Sequence, residues 1–382
     1  MNFVAKALNL SISAADRLEE RNILRKAIVK HPFFPDIVEA FRLEKKFGFY
    51  EDGTVVVKAV DGVRVFRGFP KIRRILVLNP TLKKHFGNRE IALEEKMNGY
   101  NVRVAKIGEN LYGITRRGLI CPYTTEKVRE RFEEDFFKDY PDYMLCCEAV
   151  GLASPYVPSE VYGIEELDFF LFDIRNSRTN DPLSIREKEE IAESYGLNMA
   201  KVHLVTHPDD FDGIKKVIDE LNSNRREGIV FKDVEMKVNP LKYTTTNANT
   251  SDLRYAFRFF GEYARDFMLA RILREAFQSF EFKEGDEEFN NRCLRLGRAI
   301  LEPMISSIKE CSEGKTIYEE SILVFSSQEV LDLFKSHLRL LGVDFKLEIL
   351  DEDDRRIRVK FKRVMRSTND RIKGILKGST WK

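Results

Sequence analysis

Glu94-Glu95-Lys96-Met97-Asn98-Gly99-Tyr100-Asn101-Val102-Arg103 is the segment on which the fold turns. A lysine ends one β-rich run, IALEEK at residues 91–96, and an Asn-Gly bend opens the next, YNVRVAKI at 100–107. LYGITRRG at 111–118 follows closely, so the three runs predict an antiparallel meander. Further runs rich in β-branched and aromatic residues come at 143–151 (YMLCCEAVG), 167–175 (LDFFLFDIR) and 227–233 (EGIVFKD). Helices are expected at Ser184 to Tyr195, with Glu187, Lys188 and Glu189 on the polar side, and around Asp209 to Asn222. Residues 66–250 thus predict a mixed α+β core built on antiparallel sheet.

Outward from that core the patterns change. Residues 1–65 predict a small α+β appendage, with helices around Leu18 to Ile28 and Phe33 to Leu43 and a strand pair turning at Asp61-Gly62. Residues 251–315 lack strand signals. SDLRYAFRFFGEYARDFMLARILREAFQSF carries large apolar residues on more than one face, including Phe257, Phe259, Phe260, Tyr263, Phe267, Leu269, Ile272, Leu273 and Phe277. Another helix, Asp286 to Cys311, has an apolar stripe from Leu294 to Ile308. Such a hairpin suits a dimer interface, which makes a second copy of the chain an expected partner. Residues 316–382 predict a fourth unit, small and α+β: strand SILVF, a helix capped at Ser326-Ser327-Gln328-Glu329, then strands FKLEIL and RIRVKFKRV.

Composition narrows the class. With 43% hydrophobic and 33% charged residues among 382, the chain reads as globular rather than disordered. Lys plus Arg number 64 against 62 for Asp plus Glu, so any surface for a polyanion must be local. No apolar run approaches the ~20 residues of a bilayer span, and MNFVAKALNL lacks the layout of a signal peptide, which points to a cytoplasmic protein without a membrane partner. Cys121, Cys146, Cys147, Cys293 and Cys311 contain no C-x-x-C pair, and the histidines have no ligand spacing beyond His203 and His207, so zinc is not expected. Gln278 and Gln328 are the only glutamines amid abundant Lys, Arg and Glu, a bias associated with high growth temperature.

The chemistry-bearing residues occur in an ordered series: Lys96, Arg116-Arg117-Gly118, Glu148, Phe172 and Asp173, Glu227 to Lys232, and Lys242. Each alone has a plainer reading, Lys96 as a hairpin lysine, Glu148 as a strand end, Phe172 as core. Together and in this order they resemble the covalent nucleotidyltransferase superfamily of ATP-dependent ligases and RNA-capping enzymes, over residues 90–245. DNA ligases and capping enzymes usually carry K-x-D-G-x-R. Here Lys96 is followed by Asn98, Gly99 and Asn101, and that K-x-x-G-x-N form, with the helical and small C-terminal units downstream, resembles the archaeal ATP-dependent RNA ligases, which are homodimers.

The resemblance implies Lys96 as the nucleophile that takes AMP from ATP, with Glu95, Asn101, Arg116, Glu148, Phe172, Asp173, Glu227, Lys232 and Lys242 around the nucleotide. It implies Glu148 on the ribose, Phe172 stacked on adenine, and RNA 5′-phosphate and 3′-hydroxyl ends as substrates. Chemically, a lysine amine must be unprotonated to attack phosphorus, against an ordinary pKa near 10.4, so Arg116, Lys232 and Lys242 are expected to depress Lys96 while neutralising the phosphates. Glu148 or Glu227 would hold Mg2+ or Mn2+. The family's last motif is usually K-x-K. Lys242-Tyr243-Thr244 has one lysine, which leaves Lys237 or Lys232 for the pyrophosphate contact.

Arg355 to Lys382 carries eleven cations against Asp370 alone, preceded by the acidic run Asp351 to Asp354. Arg358, Lys360 and Lys362 are its candidates for RNA backbone contact, against the alternative of a solvated face. The rival functions are a DNA ligase or capping-type guanylyltransferase, and a non-catalytic RNA-binding dimer of the same fold.

Overall fold

The computed structural model describes residues 1–353 and 356–380; Asp354 of the acidic run, and Arg355 and Lys382 at the ends of the basic strip, lie outside the described residues. The chain opens with α1 (Asn2–Ala7) and α2 (Ile12–Glu20), followed by β1 (Leu24–Lys26), β2 (Ile37–Leu43), β3 (Val55–Ala59) and β4 (Gly62–Phe66), four strands in sequential order. The Asp61-Gly62 turn joins β3 to β4 as expected, with Gly62 at φ +145°.

The two N-terminal helices expected from the sequence are corrected. The helix ends at Glu20 rather than crossing Ile28, and the segment taken as helical at 33–43 is strand β2. Ile37 and Ala40 of β2 pack toward the neighbouring sheet, while Phe41 and Leu43 pack under α1 and α2. A strand covered on both faces loses its period-two alternation, and its apolar residues then mimic a helical stripe. The unit is no appendage: Ala27, Val55, Val57 and Phe66 share one core with Ala105, Tyr112, Ile114 and Met144 of the next sheet.

The central part comprises β5 (Arg73–Arg74), α3 (Leu78–Phe86), β6 (Ile91–Lys96), β7 (Tyr100–Ile107), β8 (Asn110–Thr115), α4 (Pro122–Arg131), α5 (Asp135–Asp139), β9 (Tyr143–Val150), β10 (Asp168–Asn176), α6 (Ile185–Ser194), β11 (Val202–Thr206), α7 (Phe211–Ser223), β12 (Gly228–Asp233) and β13 (Leu241–Thr244). Its strands form two sheets, β10-β9-β7-β8 and β11-β6-β12-β13-β5. The β6-to-β7 bend carries the chain from the second sheet to the first. Gly99 is required there, because a Cβ at that position would lie 2.2 Å from the Ala149 carbonyl oxygen. In α6, Ser184 and Glu187 form a capping box, but Lys188 is not on the polar side; it is buried and ion-paired with Glu94 of β6.

Three helices follow, α8 (Thr246–Arg258), α9 (Arg265–Phe282) and α10 (Asp286–Ser312). α9 is inverted: Arg271, Arg274, Glu275 and Gln278 are its buried residues, whereas Leu269, Leu273, Phe277 and Phe280 are exposed. The chain closes with β14 (Tyr318–Phe325), α11 (Gln328–Leu340), β15 (Phe345–Glu352), β16 (Ile357–Val364) and α12 (Arg366–Leu376), the strands ordered β14-β16-β15. Val330 and Phe334 of α11 join the core that holds Tyr123 of α4, so this last unit is docked on the central part. No helix among the described residues is long and apolar enough to cross a membrane.

Candidate active site

The two central sheets enclose a cavity of about 430 Å³ whose walls include Lys96, Asn101, Arg116, Glu148, Phe172, Lys232 and Lys242. Lys96, at the end of β6, places its Nζ 2.5 Å from Glu227 Oε1, just before β12. Asn101 of β7 lies opposite Glu148 of β9 in the ladder, so an amide and a carboxyl enter side by side. Phe172 is the extra residue of a bulge in β10, between Leu171 and Asp173, and its ring packs edge-on against Phe69 at 5.1 Å. A bulge frees a residue from strict alternation, and here it turns the aromatic ring into the cavity.

Two of the expected residues act from behind the wall. Asp173 points away and accepts from Lys232 Nζ and Arg175, both at 2.8 Å. Glu95 touches the rim, but its carboxylate is held by His203 at 3.2 Å and Arg226 at 3.7 Å. Lys232 is itself bound by Glu94 at 2.6 Å and by Asp173. Lys237 is exposed on a turn beside Glu235, off the cavity wall.

Charge in the site departs from expectation at Lys96. Burial alone would depress Lys96, but the carboxylates of Glu227 and Glu148 and the hydrogen bond to Glu227 outweigh it and raise its pKa. Lys232 cannot depress it, because that charge is matched by two carboxylates. The depressed lysine is Lys242, brought down to about 8 by burial and then by the charges of Lys96 and Arg74. Glu148 is pushed up to about 7, first by burial and partly offset by Lys96. Lys96 Nζ must therefore give up a proton before it could act as a nucleophile.

Unmet polar atoms face the same space. Asn101 Oδ1 and Arg116 Nη1 are buried without a hydrogen-bond partner, and Arg116 approaches Asp52 only to 3.9 Å. Such atoms cost stability unless a ligand satisfies them, which fits a cavity shaped for a polar, phosphorylated molecule. Apolar Ile72, Met97, Ala200 and Val230 complete the wall and suit a planar base.

Residues outside the motif series also contribute. Asp52 and Phe69 come from the loops around the N-terminal sheet, and Lys71 and Ile72 from the approach to β5. Fully buried Arg103 fastens that sheet to the site, donating to the carbonyls of Gly53 and Thr115, both at 2.9 Å. Arg103 was visible in the opening motif; its partners, 12 and 50 residues away, were not.

The raised Glu148 carboxyl has a measurable consequence. A group whose folded-state pKa is raised stabilises the fold below its ordinary value near 4.5 and loses that contribution as pH rises through about 7. In nucleotide- and metal-free buffer, the melting-temperature advantage of Glu148→Gln over wild type should therefore grow between pH 5 and pH 8. A gap independent of pH would refute that assignment.

The chain is also similar to known proteins. A family model described as RNA ligase matches residues 89–244, and one described as the ligase Pab1020 C-terminal region matches 255–379. The chain is 38% identical to an uncharacterized protein of Methanocaldococcus jannaschii, covering 100% of this chain and 97% of that one. An archaeal ATP-dependent RNA ligase, solved in two forms, superposes with a TM-score of 0.89 at 35% identity, over 100% of this chain and 99% of the other. A protein of Aquifex aeolicus provisionally assigned as an ATP-dependent DNA ligase gives 0.87 at 25% identity, over 97% and 100%.

Proposed function

The chain belongs to the archaeal ATP-dependent RNA ligase family, and from that premise we propose that it joins RNA 5′-phosphate and 3′-hydroxyl ends through three displacements at phosphorus. Lys96 Nζ attacks the α-phosphate of ATP, its proton passing to Glu227, and pyrophosphate leaves. The RNA 5′-phosphate then takes the AMP from Lys96, and a 3′-hydroxyl finally displaces AMP to form the phosphodiester. Phe172 and the apolar wall hold adenine, Glu148 and Asn101 the ribose, and Arg116, Lys232 and Lys242 the phosphates. Asp173 and Glu95 hold that wall in place through Lys232, His203 and Arg226. The observation that carries this reading is the Lys96–Glu227 pair opening into a cavity with unmatched Asn101 and Arg116.

The hard oxygen donors of Glu148 and Glu227 suit Mg2+ or Mn2+, and no group of three His, Cys, Asp or Glu is placed to hold a metal among the described residues, so phosphate oxygens and water would complete the shell. The ion's chemistry there is neutralisation of phosphate charge. Incubation with α-labelled ATP and Mg2+, followed by denaturing electrophoresis, tests the covalent step. Labelling by GTP or NAD instead would favour the capping-type or other ligase readings, and no labelling the non-catalytic one.

RNA contact by Arg358, Lys360 and Lys362 is part of the same proposal, in a restricted form. These side chains are ion-paired, with Asp351 at 2.9 Å, Glu320 at 2.9 Å and Glu348 at 3.4 Å. Exposed pairs are worth about 0–1 kcal/mol and can open toward a phosphate, but the acids compete. Replacing all three by alanine should lower the salt slope of RNA binding by less than about three units, at one per full contact, with self-adenylylation unchanged. An unchanged slope would make the strip a solvated face.

A further inference from the structure

The last motif carries a threonine where the family pattern has its second lysine, and the fold brings a different cation to that place. β13 runs parallel to β5, with Lys242 paired to Arg74. The Arg74 guanidinium donates from Nη1 to Thr244 Oγ1 at 2.6 Å, so it stands where a lysine at 244 would project. Asn249 Oδ1 steadies it at 3.4 Å, and Asn249 in turn donates to buried Glu275 of α9 at 2.8 Å. Arg74 is half-buried, and among the described residues neither it nor Lys242 has a carboxylate at ion-pair distance; Asp252 and Glu227 act on Arg74, and Glu227 on Lys242, from farther off. Two adjacent cations with no directly ion-paired carboxylate, next to Lys96, form a site for an anion.

Register shows how that anion reaches the chemistry. Lys96, Gly228 and Thr244 lie in one row across β6, β12 and β13. Residues paired across strands are neighbours, so Lys96 and the Thr244–Arg74 pair flank Gly228 from the two adjoining strands. A Cβ there would lie 2.1 Å from the Tyr243 carbonyl oxygen, so glycine lets β12 and β13 approach closely at this row.

We propose that Arg74 and Lys242 form one phosphate subsite used twice, first by the pyrophosphate portion of ATP and then by the RNA 5′-phosphate. This rests on the assignment of Lys96 as nucleophile. In the first step an N–P bond forms from Lys96 Nζ to the α-phosphorus, and the P–O bond to the β-phosphate breaks, the electron pair leaving with pyrophosphate. In the second, an RNA phosphate oxygen bonds to that phosphorus, the N–P bond breaks and Nζ takes up a proton. Both are in-line displacements at one phosphorus with Lys96 on the same side, so the departing pyrophosphate and the entering RNA phosphate must occupy the same opposite side. Lys242 is held low first by burial and then by the charges of Lys96 and Arg74, which Glu227 only partly offsets, as suits a group that gains from a bound anion.

The test measures the two steps separately in Arg74→Ala: KM for ATP in self-adenylylation, and AMP transfer from pre-formed enzyme-adenylate to 5′-phosphorylated RNA. Loss of a charge-assisted hydrogen bond predicts a deficit of about ten- to a hundredfold in each. Adding Thr244→Lys to that variant should recover most of it, which a packing role for Arg74 would not. A deficit in only one step overturns the shared subsite, and none in either overturns the site. Should Arg74→Ala melt below the assay temperature, Arg74→Lys active with Arg74→Gln impaired is the expected pair, and equal activity overturns the proposal. Wild-type labelling that persists in Lys96→Ala would instead refute the Lys96 assignment on which this one stands.

Discussion

Lys96→Ala should lose covalent labelling by ATP, by about a thousandfold or more, while remaining folded. The side chain stands at a strand end on the cavity wall and contributes little apolar burial. Its loss does leave Glu227 and Glu148 without their nearest cation. Lys96→Arg controls for that, since it can keep a pair with Glu227 but cannot lose a proton to attack phosphorus. It should be as inactive as the alanine variant in self-adenylylation. Chemically pre-adenylated RNA bypasses the first step, and both variants should retain sealing of that substrate. Labelled protein from a folded Lys96→Ala preparation would remove Lys96 from the mechanism.

The second large effect is expected in assembly. Leu294, Leu301 and Ile308 recur at intervals of seven on α10, with Ile305 between them, and all four are exposed. That is the seam of a helix packed against another helix. Alongside it, α9 exposes Leu269, Leu273, Phe277 and Phe280, the last at 82%. The inverted orientation of α9 has a cause: Arg274 donates to the Thr244 carbonyl at 3.0 Å and lies over the Tyr243 ring, so the polar face is bound to β13 and the apolar one is turned out. We propose that a second copy of the chain covers this surface. Wild type should be dimeric by light scattering at micromolar concentration, and Leu301→Asp with Ile305→Asp should be a folded monomer. A monomeric wild type would sink the proposal.

The composition of that surface differs from the one expected from the sequence. Phe259 is buried, and Tyr255, Phe260 and Tyr263 pack with it against Ile317, Met365 and Ile372 of the chain's own C-terminal unit. The apolar excess in 251–282 was legible; its division between an internal and an external partner was not, because both faces of a helix read alike until something covers one of them.

At the active site, local order was readable. The Asn-Gly bend, the strand runs and the motif series put Lys96, Asn101, Arg116, Glu148, Phe172, Lys232 and Lys242 on one cavity wall. Those positions came from the order of the motifs along the chain and their resemblance to the nucleotidyltransferase superfamily. What failed was charge. Lys96 was expected to be depressed by cations, but Glu227 is its nearest partner and raises it, and Lys232 is matched by Glu94 and Asp173. Coulomb energy depends on distance and burial, which spacing does not encode.

The α+β class, the central strand runs, the bend at Gly99 after Lys96 and the apolar excess of the helical region are legible along the chain, because each is written in short-range pattern or chirality. Packing of distant segments makes β2 a strand, buries Lys188 on Glu94, fastens the N-terminal sheet to the site through Arg103 and sets Arg74 beside Lys242. Each of these joins residues far apart in the chain. Whether a residue is covered, and by which charge, is a property of the partner that arrives from elsewhere, and no local period records it.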